Sequence, residues 1–207
     1  MFPIGDRADV DEIGLYLSRV FGIELGDLGR TAEGNWLGEA RTKNRDALRH
    51  RTEDILRERK VGGIAELSPN IAAQILTLGQ DESRPALIEL WARLLANAID
   101  PSRNNARLSF IETVRQMDPE DAVLIRRMVH KGYEAVHEQD EPVAFNEVAV
   151  PLLASELGLA EDAVIVSLEH LEDLGILADD SSDSVWRTTS FGREFFRACY
   201  RYRPSRA

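Results

Sequence analysis

Glu161-Asp162-Ala163-Val164-Ile165-Val166-Ser167-Leu168-Glu169-His170-Leu171-Glu172-Asp173-Leu174-Gly175-Ile176-Leu177 is the stretch whose reading decides the fold. It reads as a helix from Glu161 to Leu174, closed by Gly175 and followed by the first residues of a strand. Downstream, Val185 to Thr189 reads as a second strand, and Asp179-Asp180-Ser181-Ser182-Asp183 as the polar turn between the two. Ser190 can cap a last helix that carries Phe191, Phe195, Phe196 and Cys199. Upstream, Leu152 to Leu157 is a short helix closed by Gly158. Before it, Asp118-Pro119-Glu120-Asp121 is a strong helix start: an N-cap Asp, a proline at the first helical position, and acids in the first turn. That helix runs to about residue 137, and a turn follows at Asp140-Glu141-Pro142. Pro151 is awkward inside a helix that starts before it, so Val143 to Val150 is assigned to strand or loop. Helix, helix, helix, β-hairpin, helix is winged-helix order.

The first half of the chain reads as helices throughout. Val10, Ile13, Leu17, Val20 and Phe21 follow helical spacing, and the glycines at 22, 26, 29 and 34 then break it. Residues 35–60 form a long basic helix ended by Gly62-Gly63, with Trp36, Leu37, Ala40, Ala47, Leu48 and Ile55 on one arc. Further helices fall near 69–79, at Pro85 to Ile99 and at roughly 107–117. The 85–99 segment is apolar over most of its circumference and suits the centre of a core; this half has few other long apolar faces to cover it, and a homodimer would supply that cover. The expectation is a mainly α protein with an N-terminal helical domain, 1–117. A C-terminal winged-helix-like domain with a small β-hairpin, 118–207, follows.

A chain of 207 residues needs no metal or disulfide to hold a core. Its one cysteine, Cys199, cannot form an intrachain disulfide and lies among aromatics, as a packed residue would. No basic n-region precedes an apolar run at the N-terminus, and no stretch approaches the ~18 apolar residues of a membrane span. The expected location is the cytoplasm. There is no Gly-x-Ser-x-Gly elbow and no phosphate-binding Gly-x-x-x-x-Gly-Lys loop. An enzyme is not expected, nor a cofactor.

Charge is the most informative feature. The net charge is −11, and between Lys131 and Arg187 there is no Lys or Arg at all. Affinity for duplex DNA rests largely on neutralising phosphates with cations. The helix that would enter a major groove presents Glu161, Asp162, Glu169, Glu172 and Asp173. It would repel DNA, and these residues are the candidate protein-docking surface. Arg41, Arg45 and Arg49 on the basic helix are candidates for a partner or for nucleic acid. Arg197, Arg201, Tyr202 and Arg203 of the tail are too, because cations interleaved with aromatics can hold single strands by stacking and charge. The competing reading of the basic helix is a salt-bridged surface, with Arg49, Glu53 and Arg57 at i,i+4 spacing. His130, Glu134 and His137 share a helix face, but a fourth ligand is not evident, so no metal is assigned. His50 and His170 have no evident partner in the sequence.

Several blocks carry a resemblance. They are Glu12 to Ser18, Leu90-Trp91-Ala92-Arg93-Leu94-Leu95-Ala96-Asn97-Ala98-Ile99-Asp100, Leu108 to Glu112, Met117 to Ala122, Leu168 to Leu177, and Thr189 to Phe195. With these the chain resembles the abortive infection alpha (Abi-alpha) family, bacterial proteins of undefined molecular activity. The resemblance implies a role in defence against phage and supplies no catalytic residues. The expected function is a non-enzymatic interaction protein that acts through protein–protein contacts and assembles as a homo-oligomer. The alternative is a nucleic-acid-binding regulator using helix 41–60 and the Arg/Tyr tail.

Overall fold

A computed structural model describes residues 8–22, 36–103, 106–135, 144–146, 150–180 and 185–200. The chain divides into two compact units, Met1–Arg115 and Gln116–Ala207. The first holds helices α1 (Ala8–Phe21), α2 (Trp36–Arg59), α3 (Pro69–Gln80) and α4 (Pro85–Ile99), and ends within α5 (Leu108–Gln116). Pro69 and Pro85 occupy first-turn positions, where a missing N–H costs nothing. Leu87, Leu90, Trp91, Leu94, Leu95, Ala96, Ala98 and Ile99 of α4 are all buried. The helix packs against α2, whose Leu48, Ile55 and Leu56 are buried, and against α3, whose Ile75 and Leu76 are buried. Gly79 admits the Leu48 side chain, whose Cδ2 would lie 2.8 Å from an added Cβ.

Two expectations change in this unit. The buried stripe of α2 is Asn44, Leu48, Thr52, Ile55 and Leu56, so the apolar arc begins only in its second third. Trp36 is 75% exposed and Leu37 42%, and Ala47 faces solvent. The helix ends at Arg59 with Lys60 in the left-handed region, φ 53°, ahead of the glycines. Second, α4 gets its cover from elements of its own chain, so its burial needs no second copy.

The second unit runs α6 (Pro119–Ala135), β1 (Ala144–Asn146), α7 (Val150–Leu157), α8 (Glu161–Asp173), β2 (Leu177–Asp180), β3 (Val185–Thr188) and α9 (Ser190–Cys199). The three strands form one antiparallel sheet in the order β1-β3-β2, with Phe145 opposite Trp186 and Leu177 opposite Thr188. The hairpin therefore gains a third strand from the segment ahead of α7. Pro151 does not exclude the helix: α7 starts at Val150 and puts the proline in its first turn. Asp179 and Asp180 extend β2 instead of turning the chain, and residues 181–184 lie outside the described ones. The cap of α9 is Thr189, one residue before the expected Ser190, with its Oγ1 accepting from the Gly192 N–H at 2.9 Å. Gly158 (φ 67°) and Gly175 (φ 71°) close α7 and α8 in left-handed conformations that favour glycine. Among the described residues no helix is long and apolar enough to cross a membrane.

Candidate functional site

The arginines of α2 are drawn into contacts inside their own unit. Arg41 makes a two-point contact with Asp81, Nε to Oδ1 at 2.5 Å and Nη2 to Oδ2 at 3.2 Å, which holds its pKa above the ordinary guanidinium value. Arg45 donates to the Phe21 carbonyl at the end of α1, and Arg49 donates to Ser18 Oγ at 2.8 Å. Arg57 pairs with Glu53, as the i,i+4 spacing anticipates, whereas Arg49 reaches across to α1. Arg51 makes two bonds to Glu89 of α4, at 2.5 and 3.0 Å, and Arg93 adds a third at 2.6 Å. Burial pushes the Glu89 carboxyl up, but Arg51 and Arg93 outweigh it and hold the group below its usual range. The face read as a phosphate or partner surface works largely as a clamp from α2 to α1, α3 and α4.

The acidic helix is different. Val164, Ser167, Leu168 and Leu171 of α8 are buried, so the opposite face looks outward. On it Asp162, Val166, Glu169 and Asp173 follow at i, i+4, i+7 and i+11, with Glu161 beside them, and all five are exposed. Val166 stands 62% exposed in the middle of this row. None of Glu161, Asp162, Glu169 or Asp173 pairs with a cation among the described residues. Glu172 is half-buried and accepts a bond from the Asp179 N–H at 3.3 Å. It belongs to the packing of α8 on β2 more than to the outer face.

In the tail, Arg197 pairs with Glu194 of its own helix. Arg201, Tyr202 and Arg203 lie outside the described residues, as do the side chains of the His130, Glu134, His137 face. Cys199 is buried.

A further cluster escaped the sequence. His170 has a partner after all: its Nδ1 lies 2.7 Å from Asp121 Oδ2, across 49 positions of chain. Asp121 also accepts from the backbone N–H of Asp118 at 2.8 Å. With the Asp118 carboxylate the three offer ligand atoms within 4.8 Å of one another. The spacing Asp-x-x-Asp at a helix start signalled a cap, and nothing local pointed to a histidine on α8.

The blocks that suggested a family fall in α1, α4, α5, α6, α8 and α9. A sequence model described as abortive infection alpha matches residues 40–199. The chain belongs to the abortive infection alpha family. The match takes in both the α2 clamp and the acidic face of α8, as well as Asp118, Asp121 and His170. No curated protein and no solved structure matches this Abi-alpha chain.

Proposed function

We propose that this Abi-alpha protein is a non-enzymatic adaptor in an abortive-infection-like response to phage, and that it works by docking another protein onto the outer face of α8. The observation that carries this is the contrast between its two charged helices. Exposed carboxylates on α8 have no cation beside them among the described residues, whereas Arg41, Arg45 and Arg49 of α2 are engaged within their unit. Carboxylates held on a rigid helix around an exposed Val166 suit a protein surface that offers cations around an apolar contact. The helix–strand–helix–helix–hairpin order supports reading the second unit as a winged helix whose recognition helix has been turned from DNA to protein. The nucleic-acid reading has less support, because three of its arginines are committed elsewhere.

The test is phage challenge of bacteria carrying the wild type or Asp162→Lys with Glu169→Lys. Both changes lie on exposed positions and leave the buried face of α8 untouched. Protection is expected from the wild type and its loss from the double variant at equal protein level. Equal protection from both would remove the α8 face from the account.

A further inference from the structure

We propose that Asp118, Asp121 and His170 form a binding site for one divalent transition-metal ion of the zinc type. Three features converge on it. The Asp121 side chain is only 2% exposed, and the side chain paired with it is the His170 imidazole, itself a metal-ligand type, in place of a Lys or Arg. Buried carboxylates are compensated by a paired cation, a metal or a proton. The second feature is the imidazole, which comes from a different helix and lies 31% exposed, so the cluster opens to solvent on that side and has an entry path. The third is the Asp118 carboxylate, which brings a second oxygen donor within 4.8 Å.

A helix cap accounts for part of this arrangement. Asp118 and Asp121 stand at the start of α6 as a capping pair, and the bond from the Asp118 N–H to Asp121 follows from that. The cap needs no imidazole on the same oxygen. One nitrogen and two carboxylate oxygens are a mixed donor set of the kind that suits zinc and its neighbours. Bonds of about 2.1 Å in tetrahedral geometry put ligand atoms ~3.4 Å apart. The 2.7 Å pair must open slightly, and the wider separations must close by an ångström or so. Asp118 and His170 both reach the cluster from partly solvent-exposed positions. The positive end of the α6 dipole opposes a cation with about half a charge, which two carboxylates outweigh. Three protein donors leave a coordination position for water.

The experiment uses the full chain, stripped with chelator and titrated with zinc chloride by calorimetry, then examined by X-ray absorption at the zinc edge. One zinc per chain is expected, with a light-atom shell containing one imidazole. His170→Gln and Asp118→Asn should each weaken binding at least about tenfold, since even outer-shell changes at metal sites cost that much. Circular dichroism of both variants, and retention of fold in Asp118→Asn in particular, separates lost ligation from lost cap. No saturable binding to the wild type would overturn the proposal. So would binding that survives both substitutions but disappears in His130→Ala with His137→Ala.

Discussion

Replacing Glu89 by Gln should loosen α4 from α2 more than an ordinary surface substitution does. The carboxylate takes two bonds from Arg51 and meets both Nε and Nη2 of Arg93 at 2.6 Å, with side chains 22–30% exposed. A fully exposed ion pair contributes ~0–1 kcal/mol, and breaking a fully buried one costs about 3–5. Partial exposure places Glu89 between these limits, and Gln keeps one acceptor, so about 2 kcal/mol is the working figure. For a unit of this size that lowers the melting temperature by roughly 8 °C. The sign with pH follows from the direction of the shift. Glu89 sits below its unfolded value in the folded chain, so its contribution is present above about pH 4.3 and fades as pH falls through the folded value. The gap between wild type and Glu89→Gln should therefore be full at pH 7 and narrow below about pH 4. Thermal circular dichroism across pH, with hydrogen exchange of the α2 and α4 amides, reads both effects. A drop under about 2 °C that does not vary with pH would show that the clamp is solvated and that the packing of α2 on α4 owes it little.

Three other outcomes follow from the same geometry. Duplex DNA should bind no tighter than non-specifically at about 150 mM salt; a sub-micromolar affinity abolished by changes on α8 and indifferent to Arg45→Ala would contradict the charge reading. Gly192→Ala should destabilise the second unit by ~3 kcal/mol in chemical denaturation. A Cβ there runs into the Ile176 carbonyl, which is held in place by the Thr189 N–H at 3.0 Å; a cost below about 1 kcal/mol would mean that α9 shifts freely. With α4 covered inside the chain, the expected homo-oligomer would be left to pairing between the basic helix 41–60 of one copy and the acidic 132–186 stretch of another, so light scattering should show it weakening at about 0.5 M salt. A monomer at both low and high salt would end that proposal.

Local chemistry was legible wherever one residue type decides a backbone. Pro85 and Asp100 bracket α4 as read, Asp118-Pro119 starts α6, and Gly158 and Gly175 close their helices. Three residues carry too little pattern to separate strand from loop at Ala144–Asn146, which is a strand because it pairs with β3, some forty positions away. Trp36 and Leu37 misled for a related reason: helical spacing says which residues share an arc, not where along the helix a neighbour exists to cover it. The candidate site divides the same way. The row of carboxylates on α8 followed from spacing and composition alone. That Arg41 meets Asp81, Arg49 meets Ser18 and His170 meets Asp121 depends on chain separations of 31 to 49 residues, which no local periodicity encodes.

The docking claim is tested most directly by affinity purification of the tagged full chain from phage-infected and uninfected cells, with quantitative mass spectrometry and sequencing of bound nucleic acid. Wild type, Asp162→Lys with Glu169→Lys, and Arg45→Glu with Arg49→Glu are compared at matched abundance. A protein partner is expected at near-stoichiometric yield with the wild type and the α2 variant, lost at least about tenfold with the α8 variant. Retention of that partner by the α8 variant, or recovery of nucleic acid that only the α2 variant loses, would contradict it.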